Sequence, residues 1–136
     1  MQTIVLATQK GGSGKSTLAV GLALAAMRVG HTVRLIETDS QGTLSNWQNR
    51  RVSAEPVVEP IYSADEIEPR LQILDRSGVT LTIIDTAGAV SAATTTAIGC
   101  ADLCLIPARP TVADIEATAS TLHIIRASAS GPLSRP

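Results

Sequence analysis

Lys10 and Lys15 flank a run of glycines and small residues in the stretch TQKGGSGKSTLA, residues 8–19, directly after the apolar run Ile4-Val5-Leu6-Ala7. A glycine-rich turn between a buried strand and a helix N-terminus gathers backbone N–H groups into one concavity, and the helix adds its positive dipole end. The stretch reads as a phosphate-binding loop of the G-x-x-x-x-G-K-[ST] kind. Gly14, Lys15 and Ser16 fill the closing places of that pattern, while Gln9 stands at its opening glycine. In this reading Gly11, Gly12, Ser13 and Gly14 wrap the phosphates and Lys15 reaches the β and γ phosphates. The Ser16 hydroxyl ligates Mg²⁺, and Thr17 bonds the α phosphate. One lysine suffices for that task; Lys10 needs an account of its own.

Mg²⁺ takes few protein ligands and keeps several waters, so such a loop calls for a carboxylate nearby. The stretch LTIIDTAG offers Asp85 at the end of an apolar run, where a Walker B acid stands, and IETDSQG places Glu37 and Asp39 at the end of another. In open α/β sheets ligands gather outside the carboxyl ends of the strands. Three strands here deliver polar groups to one rim, and that convergence says more than any single motif.

The elements that must position these groups are legible as alternating patterns. Near-continuous apolar runs at residues 3–7, 33–37, 57–61, 81–85 and 103–106 suit strands buried on both faces of a parallel sheet. Residues 16–29 are apolar almost all round and closed by Gly30, which predicts a well-covered helix. A short helix containing Trp47 is expected next. Ser63-Ala64-Asp65-Glu66 has capping-box spacing before a helix over 64–76, with Gly78 as its stop. Pro69 predicts a kink there or a later start near Glu68. Thr94–96 fall on a short helix, and Thr111 followed by Asp114 opens a last helix to about Ala127. The alternation predicts a doubly wound, mainly parallel α/β sheet with helices on both faces. One domain over residues 1–127 and a flexible tail over 128–136, SASGPLSRP at its heart, are expected.

The bulk properties narrow the function classes. A chain of 136 residues buries roughly two-thirds of its unfolded surface. Hydrophobic residues make up 44%, which fits a globular chain, and Trp47 and Tyr62 are its only aromatics, so the core is aliphatic. The net charge of −1 argues against a strong constitutive grip on nucleic acid. Cys100 and Cys104 read as small buried hydrophobes in a reduced compartment, since a shared metal site would need a second ligand pair. No apolar run reaches the ~20 residues of a membrane span, and no signal peptide precedes the first strand, so a cytoplasmic location is expected.

The second lysine brings in a family. The octet KGGSGKST matches the deviant Walker A form K-G-G-x-G-K-[ST], ETDSQGT is similar to D-x-D-P-Q-G, and ADLCLIPARPTVADIEA resembles the strand and helix that follow Walker B. Over residues 1–126 the chain resembles the ParA/MinD group of partition and positioning ATPases, ParA most closely. The resemblance implies ATP and Mg²⁺ as cofactors and a nucleotide-sandwich homodimer formed on ATP. Lys10 would then reach the phosphates of the partner subunit, offsetting charge on the transferring oxygens much as an arginine finger does. Asp39 would orient the attacking water and share the Mg²⁺ shell, and Asp85 would hold Mg²⁺ through a water. A stimulating partner of the ParB kind is implied, and DNA binding is left open.

Three departures matter. Glu37 replaces the family's usual Asp, a longer acid expected to shift the Mg²⁺ shell slightly. Ser40 replaces a proline, loosening the loop that carries Asp39. Family members also continue well past this length, so the adenine-reading strand, the basic DNA-binding helices and the membrane tail of MinD proteins are not encoded in these residues. Two other functions stay open: a GTPase, because DTAG also fits D-x-x-G although no N-K-x-D appears, and a nucleotide-binding interaction protein that does not turn over. Arg109 reads as a solvated loop arginine, Arg50 and Arg51 as an exposed face, and His31 and His123 as structural.

Overall fold

The computed structural model describes residues 1–8 and 14–129. Its elements run β1 Gln2–Leu6, α1 Lys15–Arg28, β2 Val33–Glu37, α2 Thr43–Asn49, β3 Val57–Pro60, α3 Ala64–Arg76, β4 Leu81–Asp85, α4 Ala92–Cys100, β5 Leu103–Leu105 and α5 Val112–Ala129. The five strands form one sheet in the order β3-β2-β4-β1-β5, with every neighbouring pair parallel. The expected doubly wound α/β architecture is therefore present. β4 sits at the centre and all five of its residues are buried, which is why LTIID carries no polar alternation.

Two aliphatic cores flank the sheet. On one side Leu6, Leu35 and Ile83 pack with Ala19 and Ala23 of α1 and Leu44 of α2. On the other, Val5, Ile36 and Ile84 pack with Ile67, Leu71 and Leu74 of α3 and Ala93, Ala97 and Ile98 of α4. Alternate residues of each strand thus serve opposite cores, as the pleat requires. Each fully buried Ile or Leu contributes about 1.5–3 kcal/mol, and this rigid sheet fixes the rim where its strands end.

Several local expectations are revised. α1 is only partly covered: it lies on β2 and β4 with a smaller contact to α2, Leu18 is 38% exposed, and Val29 at its C-cap is 77% exposed. Ser63 is the N-cap of α3, but its side chain makes no capping bond; instead the Glu66 N–H donates to the Ser63 carbonyl. α3 runs through Pro69 from Ala64 without a later start. α5 is capped as its sequence suggests, with the Asp114 N–H donating to Thr111 Oγ1 at 3.2 Å.

β5 is an edge strand whose only partner among the described residues is β1, and Leu103 is 49% exposed. Beside it a groove of about 580 Å³ is lined by Ile4, Leu22, Ala26, Val29, Leu81 and Leu103. It opens near the amino ends of β1 and β4, away from the polar rim at their carboxyl ends.

Candidate active site

The sheet register builds the site. Leu6 and Glu37 both pair with Asp85 across the ladders, so the carboxyl ends of β1, β4 and β2 stand in one row. Short side bonds lock that row beyond the strands. The Thr38 N–H donates to the Asp85 carbonyl at 3.0 Å, and both the N–H and the hydroxyl of Thr86 donate to the Leu6 carbonyl, the hydroxyl at 2.8 Å. Ala7 N–H donates to the Leu105 carbonyl at 3.0 Å, carrying β5 into the same row.

α1 begins directly above. Gly14 caps it in the left-handed conformation, φ 87°, and a Cβ there would meet nothing within 4 Å. Glycine is required at this position for its backbone angle, not for space. Lys15 and Ser16 follow in the first turn. Lys15 is 7% exposed, and the Ser16 hydroxyl donates to Asp85 Oδ2 at 2.5 Å.

Asp85 is 2% exposed, and its other oxygen, Oδ1, is buried with no partner among the described residues. Burial raises its pKa from 3.8 to about 6; the Ser16 hydrogen bond and the Lys15 charge pull it down, while the carboxylates of Glu37 and Asp39 push it up. A carboxylate this poorly solvated, with one oxygen unpartnered among the described residues, has the chemistry to suit a cation. The donor set, a serine hydroxyl and a carboxylate oxygen, is hard and suits Mg²⁺, which takes one or two protein ligands and fills its shell with water and phosphate. Among the described residues no cluster of three or more His, Cys, Asp and Glu side chains could hold a metal by itself.

Of the acids predicted for the rim, Asp85 occupies its place, and Asp39 lies partly exposed on the loop after β2, where its Oδ1 accepts the Gln41 N–H at 3.0 Å. Glu37 does something else. It is fully buried, its Oε1 accepts the Leu44 N–H at 2.7 Å and its Oε2 accepts the Ser45 hydroxyl at 2.6 Å. Both oxygens of this longer acid are taken up by the first turn of α2. Thr17 is exposed on the first turn of α1. Lys10, Gly11, Gly12 and Ser13 lie outside the described residues.

Arg109 is not free in solvent. Its backbone N–H, Nε and Nη2 all bond the carboxylate of Asp114, which is 3% exposed. The spacing of the α5 cap identified Asp114 as a first-turn acid but gave no sign that it reaches back to the loop after β5. His31 holds Thr80, and Cys104 is half-buried, its thiol pushed up by burial.

The family profile described as VirC1 protein matches residues 1–128. The chain belongs to the VirC1 family. Its fold, the deviant loop and its relatives place it among ParA/MinD-type P-loop ATPases. It is 32% identical over 131 residues to protein virC1 of Rhizobium radiobacter, and 32% identical over 126 residues to protein ParA of the same organism. Each match covers 92% of this chain and 56% of the relative, so the chain spans a little over half the length of these relatives. Among solved structures, the ATP complex of Cyanothece McdA superposes with a TM-score of 0.79 at 22% identity, covering 93% of this chain and 64% of that one. Cobyrinic acid a,c-diamide synthase of Mycobacterium smegmatis, with bound ADP and magnesium, gives 0.79 at 20% identity, over 93% and 67%. No helix among the described residues is long and apolar enough to cross a membrane.

Proposed function

We propose that the chain binds ATP with Mg²⁺, closes on it as a homodimer and hydrolyses it, in a ParA-type cycle that segregates or positions DNA or another cargo. The observation that supports this best is the buried Asp85 carboxylate, with one oxygen unpartnered among the described residues and the other on Ser16, at the first turn of the helix that follows the two-lysine loop. Ser16 and Asp85 would hold Mg²⁺, which would neutralise phosphate charge when bound. Gly14 turns the chain so that the N–H groups of the first turn of α1 face the phosphates, and Lys15 sets its ammonium beside them. Asp39, on the loop between β2 and α2, orients the attacking water. Lys10 acts across the dimer, its charge meeting the partner-bound phosphates only when two copies close. ATP then favours the closed dimer and hydrolysis releases it, a population switch. A cytoplasmic setting and a ParB-like stimulating partner go with this reading.

The test is phosphate release by the purified chain as a function of its own concentration, with Mg²⁺ and either ATP or GTP. Turnover per subunit that rises with concentration, prefers ATP and disappears in Lys10→Ala supports the proposal. Unchanged turnover in Lys10→Ala, or a strong preference for GTP, overturns it. Tight ATP binding with no phosphate release at any concentration reduces the chain to a nucleotide-binding module.

A further inference from the structure

Glu37 is a carboxylate buried to zero exposure, which is expensive unless both oxygens find partners. They do, and both partners lie in the first turn of α2. A helix is ordinarily capped by the residue at its own N-cap. Here that residue is Gly42, which has no side chain to offer. The cap comes instead from the last residue of β2, so the two bonds fasten the end of a strand to the start of a helix and close residues 38–42 into a ring. Asp39 sits inside that ring. Thr38 is tied to the Asp85 carbonyl, Asp39 Oδ1 accepts the Gln41 N–H, and the Asp39 carbonyl accepts the Gly42 N–H at 3.1 Å. Glu37 itself pairs with Asp85 in the ladder.

We infer that Glu37 is a positioning residue for hydrolysis: its carboxylate staples α2 to the rim of the sheet and thereby fixes the loop that carries Asp39. It touches no phosphate; it acts through that loop, beside the charge it adds near Asp85. The ring replaces the rigidity that a proline at position 40, occupied here by Ser40, would supply. This rests on the proposed hydrolytic reading of the site. A misplacement on the order of 1 Å costs about a hundredfold in rate, so loss of the staple acts on turnover while the binding groups on α1 stay in place.

Trp47, the only tryptophan, lies on α2 and packs partly buried on the core, so its fluorescence reports the placement of that helix independently of any activity. The experiment compares Glu37→Ala, Glu37→Gln, Ser45→Ala and Asp39→Ala with the parent chain in kcat, in affinity for a fluorescent ATP analogue with Mg²⁺, and in Trp47 emission. Glu37→Ala is expected to lower kcat by about ten- to a hundredfold with affinity within about twofold, and to shift Trp47 emission to the red. Glu37→Gln, which still accepts from Leu44 and can donate to Ser45, restores kcat to within about threefold. Should Glu37→Ala fail to fold, Ser45→Ala reads the same staple at one bond less, with a smaller loss of kcat and a smaller red shift. Unchanged kcat in a folded Glu37→Ala or Ser45→Ala, while Asp39→Ala is inactive, overturns the inference. A loss of kcat without any change at Trp47 does so as well, because the route through α2 is then wrong. If the parent chain itself does not turn over, the hydrolytic reading fails instead, and Trp47 still reports whether Glu37 anchors α2.

Discussion

The carboxylate of Asp85 should make the metal-free chain less stable as the pH rises, and Asp85→Asn isolates the effect. In the folded chain this group keeps its proton up to about pH 6, and in the unfolded chain it loses it near 3.8. Between those values the native state binds more protons than the unfolded state, so stability falls with rising pH. At 1.36 kcal/mol per pKa unit the full penalty is about 3 kcal/mol, and about 2 kcal/mol of it accrues between pH 4 and pH 7. Asparagine keeps the shape and the bond to Ser16 but cannot ionise. Its buried amide donors carry a fixed cost of about 1–3 kcal/mol, which does not depend on pH. The discriminating quantity is therefore the difference in unfolding free energy between Asp85→Asn and the parent, measured by urea titration of Trp47 fluorescence in EDTA from pH 4 to 7. That difference should move by about 2 kcal/mol in favour of asparagine as the pH rises. Parallel profiles would mean that Asp85 ionises in the folded chain as freely as in the unfolded one, and the picture of a charge waiting for a cation would be wrong.

Other outcomes follow from the same contacts. Because a proton competes with Mg²⁺ at Asp85, the Mg²⁺-dependent gain in nucleotide affinity should weaken about fourfold between pH 7.5 and pH 5.5, given a pKa of about 6; titration of a fluorescent nucleotide at both pH values checks it. Gly14→Ala must force an L-residue to φ 87°, costing about 1–2 kcal/mol and lowering Tm by about 3–8 °C in a thermal scan. Glu59 shows the opposite pH behaviour from Asp85. Hydrogen bonds and charge from Arg70, with help from Arg34, hold its pKa below the ordinary 4.5. It therefore adds stability at neutral pH that is lost as the pH falls through its lowered pKa, and Glu59→Gln should flatten the acid limb of the urea profile.

Much of this chain was legible as sequence because its main signals are local. Near-continuous apolar runs located β2 and β4 to the residue, since a strand covered on both faces shows little polar alternation before it ends. Gly14, Lys15 and Ser16 announced the first turn of α1, and Asp85 stood where an apolar strand stopped. Each of these is a statement about one residue and its chain neighbours.

The tertiary structure decided what depends on distance across the sheet. How much of α1 is covered depends on which elements pack against it, which periodicity does not contain; an all-round apolar helix looks the same whether one face is covered or two. Arg109 and Asp114 lie five residues apart, yet their union depends on the turn into α5. Glu37 is the sharpest case. As sequence it was one acid among three at a strand end, and only the placement of α2 against that end shows it bonding a helix seven residues onward. Short-range preference names the groups that can do chemistry, while the packing of whole elements determines which of them face the ligand and which hold the others in place.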